Sequence, residues 1–177
     1  MRSELRGLAE SDYWLYGLSE EDFGYTLDLA LRFVAARRRA YETYAAAVRL
    51  EQPESADDIL DDVAHYTWVD MQYLWHFSLW RLQAILEGLI VHTFLKNASS
   101  GRLLGLKAKL DAMMNAGFRL ESRDYEDLLA WAQLRNAFSH APPEQYRPGP
   151  LTEADVREYL ELANRVCTTW RQQQSLP

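Results

Sequence analysis

A chain of 177 residues is about one domain's worth and can bury a sizeable core without staples. Its composition, 48% hydrophobic and 25% charged, is ordinary for a globular protein; its single cysteine, Cys167, excludes an intrachain disulfide and a cysteine-rich zinc site and fits a reducing compartment. The net charge of −7 argues against a nonspecific nucleic-acid coat protein, which must neutralise phosphates along a strand, but leaves room for a small local basic site.

Residues 1 to 22 are charged and lack the apolar core of a signal peptide, and no run of about 18 uncharged apolar residues occurs. A cytoplasmic protein is therefore expected. Ser19-Glu20-Glu21-Asp22 reads as a helix start, a cap residue followed by acids in the first turn. Phe23, Leu27, Ala30, Val34, Tyr41, Tyr44 and Val48 follow in steps of three and four, with one wider gap that Arg37 occupies. This spacing predicts a one-faced helix to about Leu50, ended by Pro53. Ser55-Ala56-Asp57-Asp58 restarts a helix, and from there to Lys96 there is no Pro and only Gly88. Leu79, Leu82, Leu86, Leu89 and Ile90 form its stripe. Tyr66, Trp68, Tyr73, Trp75, Phe77 and Trp80 crowd its middle, and the Trp and Tyr residues, at helical spacing, are expected in the core. One long helix, or a short one and then a long one, fits equally; residues 97 to 101 close it.

Leu103 to Ala116 predicts a shorter helix closed by Gly117. Ser122 caps the next, with Asp124, Glu126 and Asp127 in its first turn and Leu128, Leu129, Trp131, Leu134 and Phe138 along it. It stops near His140, because Pro142 disfavours helical dihedrals at Ala141. Residues 144 to 150 read as a loop. Thr152 with Asp155 three residues on resembles a capping box, and Val156, Leu160, Ala163, Cys167 and Trp170 carry the last helix. The expectation is an all-α, antiparallel helical bundle of about five helices, one domain over residues 1–177 with the bundle at about 20–172.

Most chemical signals reduce to structure. None of His65, His76, His92 and His140 stands with another at metal-ligand spacing, and no metal or cofactor is expected. The first three sit among apolar and aromatic residues and are expected as packing partners. Asp57, Asp58, Asp61 and Asp62 suit a solvated helix start. Arg37-Arg38-Arg39 cannot form one patch, since consecutive helix residues point in different directions.

The stretch LRNAFSHAPP, residues 134 to 143, is different. Arg and His near a helix C-terminus do suit its negative end. Yet chance supplies about 0.4 Arg-x4-His pairs in such a composition, and about 0.01 once Asn must follow the Arg. His140 can take and give a proton near neutral pH. Arg135 can hold a phosphate through parallel bonds and neutralise developing charge. Asn136, four residues before His140, shares its helix face and can orient the imidazole or a substrate hydroxyl. Arg135 is offset from His140 by about 140° around the axis. Such a set suits metal-free RNA cleavage, in which a base takes the ribose 2′-hydroxyl proton and that oxygen attacks the adjacent phosphate. One copy lacks a second group to protonate the leaving oxygen, and a two-fold dimer would supply it.

Arg135-Asn136-Ala137-Phe138-Ser139-His140 resembles the R-x4–6-H motif, in its RN-xxx-H form, of the HEPN superfamily (higher eukaryotes and prokaryotes nucleotide-binding domain). The resemblance implies a compact HEPN-like helical bundle with the motif near the end of a late helix. It implies a homodimeric, metal-independent endoribonuclease with a composite site, leaving 2′,3′-cyclic phosphate and 5′-hydroxyl ends. Toxin–antitoxin, antiviral defence and stress systems use such effectors, so an antitoxin or regulatory partner is possible. Arg135 and His140 would be the catalytic pair, Asn136 a supporting polar residue, and Glu87 an acid on the preceding long helix that orients Arg135. The alternatives are a non-catalytic HEPN-like module binding a nucleotide or a partner protein, and a bundle in which both residues only cap the helix.

Overall fold

The computed structural model describes residues 19–96, 104–140 and 149–175, and these form five α-helices with no strand among them. They are α1 (Glu21–Glu51), α2 (Ala56–Leu89), α3 (Gly105–Asn115), α4 (Ser122–His140) and α5 (Glu153–Gln174); a π-helical turn, Ile90–Phe94, continues α2. The long breaker-free stretch after Pro53 is thus one helix of 34 residues. Residues 97–101, expected to close it, lie outside the described residues.

A connection too short to reverse more than once joins α1 to α2, so the two run antiparallel. The Arg37 Nε–Asp70 Oδ2 ion pair of 2.6 Å fixes their register, and its guanidinium fills the gap in the apolar stripe of α1. Arg38 and Arg39 are exposed. Helix α2 is the central element: α1, α4 and α5 pack on it, while α3 packs on its π-helical extension and on α4. Leu79, Leu82, Ile85, Leu86, Leu89 and Ile90 are fully buried, and each contributes about 1.5–3 kcal/mol relative to exposure. At the far end Phe94 and Phe118 meet the Trp170 ring edge-on, with Phe94 5.3 Å from Trp170. A separate small cluster, Ala45, Val48, Ala56 and Leu60, closes the tip of the α1–α2 hairpin beyond the main core.

The termini differ from expectation in detail. Helix α1 begins at Glu21 with Glu20 in the cap position; Ser19 instead donates from its N–H (3.0 Å) and Oγ (2.9 Å) to Asp22 Oδ2. Ser122 is the first residue of α4 rather than its cap, and α3 begins at Gly105 rather than Leu103, where φ of +75° suits glycine. Gly117 closes α3 as expected, at φ +94°. The box at α5 forms: Asp155 N–H donates to Thr152 Oγ1 (3.3 Å) and Thr152 N–H to Asp155 Oδ2 (2.7 Å).

The larger correction concerns the aromatics. Of the five Trp and Tyr residues of α2 expected in the core, Trp75 alone is buried; Tyr66, Trp68, Tyr73 and Trp80 are exposed, as are Phe77 beside them and Tyr44 of α1, where Ala45 takes the buried place. Ridge positions 75, 79, 82 and 86 already fill the core-facing side of α2. Positions 66, 73, 77 and 80 lie on the opposite side, at spacings of seven, four and three that give the same helical period in another phase. Periodicity identified the faces but not which one is inward.

Candidate functional site

Four helices meet at a polar node that α2 enters with Gln83 and Glu87, one turn apart. Gln83 is fully buried, and its Oε1 accepts a hydrogen bond from Arg135 Nε of α4 at 2.6 Å. Glu87 Oε1 accepts from Arg135 Nη2 at 3.1 Å, and Glu87 Oε2 pairs closely with Lys109 Nζ of α3. All three charged side chains are largely buried, with Arg135 at 22%, Glu87 at 16% and Lys109 at 13% exposure. From α5 the Tyr159 hydroxyl completes the surroundings; burial first, and then the Glu87 charge, push its ionisation well above the usual tyrosine range. Gln83 Nε2 and the Tyr159 hydroxyl are buried without a hydrogen-bond partner among the described residues.

The chemistry of the node follows from its charge. Glu87 carries one negative charge and faces two cations, so the three sum to +1 in a place of reduced dielectric. A lone Glu87–Arg135 pair would spend the guanidinium charge internally. With Lys109 sharing Glu87, positive potential remains toward the remaining Arg135 N–H groups. Gln83 holds the guanidinium plane with a neutral acceptor, which orients without neutralising. Among the described residues Arg135 finds its side-chain partners on α2 and not among the terminal carbonyls of its own helix.

The partly exposed side of Arg135 lines a groove of about 260 Å³, shared with Ser139 and the rings of Tyr73, Phe77, Trp80 and Phe138. Ser139 Oγ donates to the Arg135 carbonyl at 2.9 Å. His76 stacks on Phe138, centroids 3.9 Å apart and planes 26° off parallel. Burial lowers its pKa below 6.5, which keeps the imidazole neutral at neutral pH, and its Nε2 has no partner among the described residues. His65 contacts the rings of Tyr66 and Trp68, while His92 is exposed on the π-helical turn.

Of the residues named from sequence, the structure brings together Arg135 and Glu87. Asn136 is exposed on the neighbouring face of α4. His140 is the last residue of α4, and its side chain lies outside the described residues. Sequence reasoning missed Gln83 and Lys109. Gln83 had a signal, since it stands with Glu87 at i, i+4 among leucines and isoleucines that otherwise form an apolar face. Lys109 had none beyond being one of 3 lysines in an arginine-rich chain. The acidic run Asp57, Asp58, Asp61 and Asp62 is exposed as expected.

No family model, no curated protein and no solved structure matches the chain. Among the described residues no helix is long and apolar enough to cross a membrane, and no three metal-ligating side chains cluster.

Proposed function

We propose that the chain is a HEPN-type endoribonuclease of the cytoplasm that works without metal as a homodimer, an effector of toxin, defence or stress systems. The observation that carries the proposal is the Arg135 guanidinium, tied to Gln83 and Glu87 at a node of net positive charge, on the helix that ends in His140. A phosphate placed against Arg135 would have its charge compensated by a group already oriented, which lowers the cost of the transition state. His140 would remove the 2′-hydroxyl proton, and that oxygen would attack phosphorus as the bond to the 5′-oxygen breaks. The proton for the departing 5′-oxygen would come from His140 of the second copy. Asn136, exposed beside it, would orient the imidazole or the hydroxyl.

The test is cleavage of RNA by the purified protein in excess EDTA, beside Arg135→Ala and His140→Ala, with the product ends analysed. Cleavage by the wild type alone, leaving cyclic phosphate, is expected. Equal cleavage by all three would reject the site, and a monomer at micromolar concentration would reject the composite mechanism. The aromatic groove beside Arg135 favours a second reading, a module that binds nucleotides without turnover, which predicts saturable binding and intact RNA.

A further inference from the structure

We infer that the groove beside Arg135 is a nucleobase subsite, so that the ligand of this face is an unpaired RNA strand with a base stacked on the aromatic wall and its phosphate on Arg135. The inference rests on the proposed action on RNA and adds the form of RNA and the residues that select it. Three rings on one face of α2 are exposed far beyond what scattered surface residues require: Tyr73 at 70%, Phe77 at 54% and Trp80 at 48%. They follow one another at four and three residues, so the rings line up along the helix axis over about 10 Å. Phe77 and Trp80 form a tilted pair, 31° off parallel with centroids 6.2 Å apart, rather than a close face-to-face stack.

Charge selects the occupant. Among the described residues Arg135 is the one charged side chain lining this groove, and the node behind it carries a net positive charge. An aromatic wall with a single guanidinium at its edge matches a base joined to a phosphate, whose π-face and anion are held by different groups. A groove of about 260 Å³ is slightly below the roughly 300 Å³ at which drug-sized pockets begin, which is room for one ring system. A second groove of about 360 Å³ shares Tyr73, His76 and Phe138 with the first and extends the wall to Trp68. The His76–Phe138 stack stands between the two, so successive bases have successive seats. A base inside a duplex is stacked on its neighbours and cannot enter either groove.

The test is fluorescence anisotropy with a labelled 2′-O-methyl oligoribonucleotide, which lacks the attacking hydroxyl and cannot be cut. The probe is titrated as a single strand, as a duplex and with abasic positions, against wild type, Trp80→Ala, Trp80→Phe and Tyr73→Ala. Both positions are exposed, and circular dichroism verifies the fold of each variant. The single strand is expected to bind at least about tenfold tighter than the duplex or the abasic strand. Loss of one stacking ring at Trp80 should weaken it by about 5- to 150-fold, with Trp80→Phe recovering most of the loss. Equal binding of the duplex, unchanged affinity in Trp80→Ala, or no binding by the wild type would overturn the inference. So would a Trp80→Ala variant that turns a dimer into a monomer at unchanged strand affinity, which would make this face an interface between copies. Cleavage of unmodified RNA, measured in parallel, separates the two proposals. Ring-dependent binding without cleavage keeps the subsite and removes the nuclease; cleavage with ring-independent binding does the reverse.

Discussion

Gln83 and Lys109 act on Arg135 from opposite directions, and substitution separates their effects. Gln83→Leu removes an acceptor from Arg135 Nε but also a buried amide nitrogen without a partner. The two changes oppose each other, so unfolding free energy should move by less than about 1 kcal/mol in urea titration, while RNA cleavage or binding falls by tenfold or more. A loss of stability without a loss of function would make Gln83 a packing residue. Lys109→Met returns the whole Glu87 charge to Arg135 and should raise KM for RNA, with Lys109→Arg restoring it. His76 gives a pH signature. Its pKa is lowered in the folded chain, so between that value and 6.5 the unfolded state binds more protons. Stability should be unaffected by this group above 6.5 and decline as pH falls below it, and His76→Phe should flatten that part of a Tm-versus-pH curve. Cys167, buried and pushed up to about 12, should resist thiol reagents until the chain unfolds. Arg135 was legible from a short motif, because a motif states residue types directly, whereas Glu87 came only through the family resemblance that the motif carries. Gln83 was not legible, because a glutamine among leucines becomes informative only once its partner from another helix is known.

Helices were legible where the sequence carries punctuation. Pro53, Gly117 and the Thr152–Asp155 pair mark ends that the structure places within a residue or two, and the box at Thr152 forms with both of its bonds. Thr152→Ala should therefore cost about 1 kcal/mol, read from chemical denaturation. Gln72 adds a tie that no local pattern predicts: its amide exchanges bonds of 2.9 and 3.1 Å with the backbone of Leu151, just before α5, as a neighbouring strand would. Phase on α2 was the illegible part. Aromatic and aliphatic stripes share the same period, and hydrophobicity alone assigns both to the core. Packing decides otherwise because one helix offers only so much inward surface, and the branched aliphatic stripe fills it. What remains is a row of rings beside a polar node, a place where local preference and global fold disagree, and such disagreements are where function is expected.

For the molecule as a whole, a chain of net charge −7 meets a polyanion with its long-range field unfavourable. On the proposed function attraction centres on the Arg135 node, so few counterions are released on binding. The dependence of log affinity on log salt should have a shallow slope, about −0.7 to −1.4 for one or two phosphates on a single strand. A slope several times steeper would indicate an extended basic track elsewhere. The α1–α2 hairpin has its own consequence. Its tip is held by four small or medium side chains, set apart from the core that anchors the other end. Two clusters on one rod behave as two cooperative units of unequal strength. Amide protons near the turn should thus exchange by opening of the tip alone, while those around Leu82 and Leu86 wait for global unfolding. Within this hairpin a limited digest should cut first at residues 52–55, and the cut should release neither helix, since both stay gripped by the core.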